Sequence, residues 1–205
     1  MRFIAIDLEL EQPYTNHQTP DSKTCDEVII QVGVVVFELA KDEPTILHSE
    51  TIFLNYPEPL SQFIKTLTSI TDEQVNSSTH SSFFALERIA ILRRDYEASR
   101  QIVEWGSGDT LALREHSGVS LENFVKRYGF ARSTINVKNI YQCYALANNI
   151  KRQGGLSKSM SKVNLNFKNT TFEDKNKGAH WAETDAMNTA RIFNKLIELL
   201  KKEDK

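Results

Sequence analysis

With 205 residues, 40% of them hydrophobic and 25% charged, the chain has the make-up of one soluble globular domain with enough apolar residues to bury a core. A net charge of −2 argues against a passive, strongly basic nucleic-acid binder, and no apolar run approaches the roughly 20 residues a membrane-spanning helix needs. Asp7 arrives too early for the apolar stretch of a secretory leader, so a cytoplasmic protein is expected. Cys25 and Cys143 lie too far apart for a zinc spacing and are too few for a disulfide framework, which leaves two free thiols.

Phe3-Ile4-Ala5-Ile6 is a short apolar run ending at Asp7 and reads as a buried strand. Residues 11–25 form a polar insertion rich in turn residues. Val28 to Phe37 is apolar and β-branched almost throughout, as in a central strand covered on both faces, and Gly33 within it marks a close approach or a bulge. Thr45 to Tyr56 is a third strand. Helices are expected over Leu60–Leu67, from Thr71 (with Gln74 completing a capping box), and within Ser81–Arg100. Gln101 to Trp105 is a strand closed by Gly106-Ser107-Gly108. Asp109–His116 and Leu121–Tyr128 read as helical, and Asn136–Ile140 as an edge strand or the approach to a helix reaching Ile150. A short helix over residues 156–163 and a polar loop from Asn164 to Lys177 precede the strongest signal, an amphipathic helix from Ala182 to Lys202. Its apolar stripe is Ala186, Ala190, Ile192, Phe193, Leu196, Ile197 and Leu200. The pattern predicts a single α/β or mixed α+β domain over residues 1–205, with a meander first and a short charged end at 198–205.

Three acidic sites stand at element ends. In Asp7-Leu8-Glu9 the two carboxylates are two residues apart in a strand and so share a face, a costly pairing unless a cation neutralises it. Asp109 follows a buried strand and two glycines at the mouth of a helix, where it also suits a helix cap. Asp185 lies beside small residues of the last helix, five residues after His180. Each alone fits an ordinary surface acid or cap. Together they make a set of four carboxylates and a histidine that suits phosphodiester hydrolysis by two divalent ions about 3.5–4 Å apart, with the imidazole taking a proton from the attacking water. Oxygen ligands favour Mg²⁺ or Mn²⁺. The basic pairs Arg93-Arg94, Lys126-Arg127 and Lys151-Arg152, with Lys158, Lys162 and Lys168, read as solvated faces; the 151–168 stretch is the best candidate for a phosphate contact.

The motifs resemble those of the DEDDh (DnaQ-like) 3′–5′ exonucleases, Eri1-like subgroup. Phe3 to Glu9 is similar to the first exonuclease motif and Gln31 to Val36 to the second strand. Leu60-Ser61-Gln62-Phe63 with Leu67-Thr68-Ser69-Ile70-Thr71 is similar to the subgroup's "L-S-x-F … L-T-G-I-T" stretch. Trp105 to Asp109 resembles the second motif. Gly178-Ala179-His180, Asp185-Ala186, Asn188 and Ala190-Arg191-Ile192 resemble the third. The resemblance spans residues 3–193 and implies an RNase H-like fold, a mixed five-stranded β-sheet flanked by α-helices. It implies removal of nucleoside monophosphates from the 3′ end of single-stranded DNA or RNA. It further implies two Mg²⁺ or Mn²⁺ ions held by Asp7, Glu9, Asp109 and Asp185, His180 as general base, and substrate contacts from Leu8, Leu10, Ile70 and Thr71. Two departures stand out: Leu10 occupies a position where many members carry a small or hydroxylated residue, and Ser69 replaces the glycine of the "T-G-I" turn. Readings of a different class are a non-catalytic module that binds 3′ ends and a proofreading subunit acting with a polymerase. Oligomeric state stays open, a homodimer included.

Overall fold

The computed structural model describes residues 1–11, 27–151, 155–166 and 180–202. The 11–25 insertion beyond Glu11, with Cys25, and Arg152, Lys168, Gly178 and Ala179 lie outside the described residues; Cys143 is a free, exposed thiol.

Strands β1 (Arg2–Glu11), β2 (Val28–Glu38) and β3 (Thr45–Phe53) form an antiparallel meander. Helices α1 (Gln62–Thr68), α2 (Asp72–Asn76) and α3 (Ser82–Asp95) follow, then β4 (Ile102–Glu104), α4 (Asp109–His116), α5 (Leu121–Lys126), β5 (Ile135–Asn136), α6 (Val137–Ala147), α7 (Leu156–Lys162) and α8 (Ala182–Lys202). The sheet order is β3-β2-β1-β4-β5, with β4 and β5 parallel to β1. This is the mixed five-stranded sheet flanked by helices that the motifs implied. Among the described residues no helix is long and apolar enough to cross a membrane.

Strand alternation splits the core into two layers. Ile4, Ile6 and Leu8 face α3, α4 and α5 through Leu86, Ile89, Leu113 and Phe124. Phe3 and Ala5 face α6, α7 and α8 through Tyr141, Met160 and Phe193. On that second face Phe193 packs edge-on against Phe3, with ring centroids 5.3 Å apart. β2 is buried from Ile29 to Phe37, as its unbroken apolar run demands. A third cluster joins Ile30 to Leu60, Ile64, Ile70, Val75 and Trp181 and ties α1 and α2 to the end of the sheet.

The capping box expected at Thr71 and Gln74 is present in both directions. β3 ends at Phe53, three residues short of the sequence expectation, and the edge strand β5 is only two residues long before Asn136 caps α6. Leu200, placed on the apolar stripe, is exposed, because α8 outruns the sheet it covers. Ser69 explains the glycine usual in its turn: it closes α1 with φ 62°, in the left-handed region. Ser69→Gly is therefore expected to stabilise the fold by about 0.5–1 kcal/mol, read as a higher denaturation midpoint at unchanged slope. A lower midpoint would mean that the Ser69 side chain contributes more than its backbone strain costs.

Candidate active site

Asp7 and Glu9 project from the C-terminal half of β1 on the α8 face, cross-strand from Gly33 and Gln31. The absence of a side chain at Gly33 brings α8 close. A Cβ there would stand 2.1 Å from the Ala182 carbonyl carbon and 2.2 Å from the Glu183 nitrogen. Gly33 is thus a close approach, and it sets the height at which the first turn of α8 crosses the sheet.

That turn is held from below and from the side. The Ala182 N–H, one of the unsatisfied donors at a helix start, donates to Gln31 Oε1 at 2.9 Å. Trp181 Nε1 donates to Thr51 Oγ1 at 3.1 Å, and the Thr51 hydroxyl donates to Glu183 Oε2 at 2.7 Å. His180, just before the turn, is exposed and adopts φ 67°, rare for a non-glycine residue. Its backbone N–H donates to the Asp185 carboxylate. Glu9, His180 and Asp185 each place a ligand-capable atom so that all three lie within 4.8 Å of one another.

Asp109 comes from the other side of β1. It is the first residue of α4, after Gly108 at φ 138°, so the sequence alternative of a capping role is not what it does: the cap position belongs to Gly108, which offers no side chain. Asp109 acts electrostatically on both Asp7 and Glu9, as does Asp185.

The four carboxyl groups all have raised pKa values. Burial is the largest cause for each. Asp7 is pushed well above the usual range by burial and then by Asp109, Asp185 and Glu9. Glu9 rises to about 9 through burial, Asp185 and Asp109. Asp109 rises to about 7 through burial and the nearby Glu104. Asp185 rises only to about 6, because His180 partly offsets its burial. Four acids this close cannot all ionise without a compensating charge. A donor set of carboxylate oxygens with one imidazole at its edge fits a hard divalent cation such as Mg²⁺ or Mn²⁺. Binding it would require the protons to leave.

No protein-family model and no curated protein matches the chain. Solved structures do. One described as full-length 3′-exonuclease superposes with a TM-score of 0.64 at 19% identity, over 96% of this chain and 60% of its own, so the chain spans about three-fifths of that protein. Cell-death related nuclease 4 (CRN-4) gives a TM-score of 0.71 at 15% identity, over 97% of this chain and 64% of its own. The nuclease domain of 3′hExo, a DEDDh family member bound to rAMP, gives 0.63 at 18% identity, over 96% and 92% of the two chains. The fold is that of the DEDDh 3′-exonucleases.

Within this DEDDh fold, some residues that sequence reasoning passed over build the site. Glu104, at the end of β4, is 2% exposed; its Oε2 accepts from the Thr110 N–H at 3.0 Å and hydroxyl at 2.9 Å, and its Oε1 from the Thr134 hydroxyl at 2.7 Å. It supplies from a strand the cap that Gly108 cannot supply, and so fixes the helix that carries Asp109. Gln31 and Thr51 do the same for α8. A buried acid next to Asp109 was the available signal for Glu104; nothing local marks Gln31 or Thr51, whose partners are more than 100 residues away.

The residues that the resemblance assigned to substrate fall in different surroundings. Leu8 points to the sheet face opposite Asp7 and Glu9 and is packed in that core, and Ile70 is 1% exposed in the cluster under α1. Leu10 is partly buried beside the first cluster, and Thr71 is exposed as the cap of α2. In the third motif, Arg191 is a structural strut: its guanidinium makes two 2.7 Å bonds to Glu43 and one of 3.0 Å to Asn188 Oδ1. Lys158 and Lys162 are exposed on α7.

Proposed function

We propose that the chain is a divalent-metal-dependent 3′→5′ exonuclease that hydrolyses the terminal phosphodiester bond of single-stranded DNA or RNA and releases nucleoside monophosphates. The observation that carries this reading is the electrostatic action of Asp109 and Asp185 on the buried Asp7 and Glu9, three separate segments meeting, with His180 grouped with Glu9 and Asp185. Asp7, Glu9, Asp109 and Asp185 would hold two Mg²⁺ or Mn²⁺ ions. Such ions, when bound, supply charge neutralisation at the phosphodiester and stabilise both oxygens of an in-line displacement. The chain supplies the rest. Gly33 and Gln31 set the position of α8 and with it Asp185. Glu104 holds α4 and with it Asp109. His180, exposed at the mouth, accepts the proton of the attacking water and releases it to solvent. The neighbour carrying rAMP and the Eri1-like stretch at residues 60–71 both favour RNA as the substrate.

The test is a time course on 5′-labelled single-stranded DNA and RNA of one sequence, with Mg²⁺, Mn²⁺ or EDTA. A metal-dependent ladder shortening from the 3′ end is expected, faster on RNA. His180→Ala should lose about 10²–10⁴-fold in kcat while cation binding persists. At limiting Mg²⁺ the rate should climb between pH 6 and 9 as Asp185, Asp109 and Glu9 release their protons, and excess Mn²⁺ should flatten that rise. Digestion that survives Asp7→Ala would sink the assignment.

A further inference from the structure

Three arginines from two segments remote in sequence meet on the face of the sheet away from α8. Arg93 and Arg94 end α3, and Arg127 follows α5. With Glu87 and Tyr128 they line one pocket of about 290 Å³. Gathering three guanidinium groups in one place is unfavourable unless an anion offsets them, and the chain supplies little of that anion. Arg94 reaches only its neighbour Asp95, at 3.3 Å on an exposed surface. Lys126, next to the pocket, is taken up by Glu122 at 2.7 Å. Among the described residues no carboxylate lies within ion-pair distance of Arg93 or Arg127, and Glu87 pairs with neither.

The two unpaired arginines are nonetheless held in place. Arg127 lies over the Tyr128 ring, 5.4 Å from its centroid, which leaves the edge of the guanidinium for another partner. Arg93 packs on Gly129, where a Cβ would stand 2.7 Å from its Nη2. Its Nε is buried without a hydrogen-bond partner, and so is the Tyr128 hydroxyl. Buried donors without acceptors are costly, and a fixed fork of guanidinium donors matches the oxygens of a phosphate.

We propose that this pocket is a second phosphate-binding site, an accessory hold on the nucleic-acid strand whose 3′ end enters the carboxylate cleft. The proposal rests on the exonuclease reading for the identity of the strand, and on the arginine geometry alone for the phosphate. α3 starts beside the C-terminal ends of β1 and β3, where Asn55 bonds the His80 carbonyl, and ends beside Arg2, which bonds the Tyr96 carbonyl. Arg93 therefore lies roughly 16 Å down the helix from the active-site end, at about 1.5 Å per residue. At about 3.4 Å per stacked nucleotide, a strand must be at least about five nucleotides long to reach it.

The experiment measures binding in EDTA, so no cleavage is needed and failure of the catalytic reading would leave it intact. Fluorescent strands of four and fifteen nucleotides are titrated against the wild type, Arg93→Gln and Arg127→Gln over a range of salt. Each substitution should lower the slope of log K against log salt by about 1 for the long strand and leave the short strand unchanged. Arg127 is exposed at a helix end, so its variant should fold even if loss of the packed Arg93 destabilises the chain. A second arm titrates wild type and Arg127→Gln with inorganic phosphate and AMP, following the Tyr128 ring by NMR. A length effect lost in the variants assigns the phosphate to a bound strand. Saturable AMP or phosphate binding lost in Arg127→Gln, with no length effect, assigns it to a free mononucleotide or phosphate ion. Unchanged slopes together with no Tyr128 response would overturn the site.

Discussion

Glu9→Gln is expected to abolish hydrolysis and, in EDTA, to make the protein more stable. Both effects have one cause. Glu9 is 8% exposed, faces Asp109 and Asp185, and has its pKa pushed to about 9. In the unfolded chain it would titrate at the ordinary glutamate value of about 4.3. Between these values the folded state binds more protons than the unfolded one, so stability is highest at the acid end and falls as pH rises toward 9. A neutral amide of the same shape removes that dependence. A gain on the order of 2 kcal/mol is expected at pH 8 in EDTA, or about 4–8 °C in Tm for a chain of this size. The rate should fall about 10³-fold or more, since a cation's stabilisation of the transition state is worth several kcal/mol. Excess Mg²⁺ should then reverse the order of stability, because only the wild type gains from binding it. Melting curves at pH 5 and pH 8, with and without Mg²⁺, read all of this. A variant less stable than wild type in EDTA at pH 8 would show that the acids are not in conflict.

Gly33→Ala should be the most damaging change of a single methyl group. The obstacle at 2.1 Å is the main chain of Ala182, and main chain cannot swing aside as a flexible side chain would. Either β2 bulges or the first turn of α8 lifts. Overpacking of this kind costs about 1–3 kcal/mol, and an ångström of displacement at catalytic groups costs on the order of 10² in rate. Activity should therefore fall further than stability predicts, because Asp185 and His180 ride on the part that moves. Thr51→Val is the useful comparison. It keeps the volume but removes the hydroxyl that links Trp181 to Glu183, and should loosen the same turn without forcing it outward. A Gly33→Ala chain with wild-type Tm and rate would mean that α8 docks elsewhere in solution.

The parts of this molecule that sequence reveals are those governed by local periodicity. The apolar run of β2 and the 3.6-residue stripe of α8 specify their elements from within, and α8 runs over the very span, Ala182 to Lys202, that its stripe marked. Asp7, Glu9, Asp109 and Asp185 were visible because acids at element ends form a recognisable series. The direction of Leu8 also follows from alternation with Asp7 and Glu9. What sequence conceals is tertiary. Glu104 looks like any strand-end acid until α4 is seen to lack its own cap. Gln31 looks like a stray polar residue in a buried strand until the Ala182 N–H arrives above it. Arg93, Arg94 and Arg127 are exposed or half-buried basic residues far apart in sequence, and only the fold puts them round one pocket.

The order in which the strands pair also governs when the cleft comes into being. β1, β2 and β3 are joined in sequence and zip by antiparallel neighbours, so the meander bearing Asp7 and Glu9 can form early. β4 joins by a parallel pairing of only two residue pairs, Ile4 with Ile102 and Ala5 with Val103, and α8 docks from the far end of the chain. Such distant contacts are slow to close. The topology therefore predicts that a refolding chain forms its β1–β2–β3 meander first and brings Asp109 and Asp185 to Asp7 and Glu9 last.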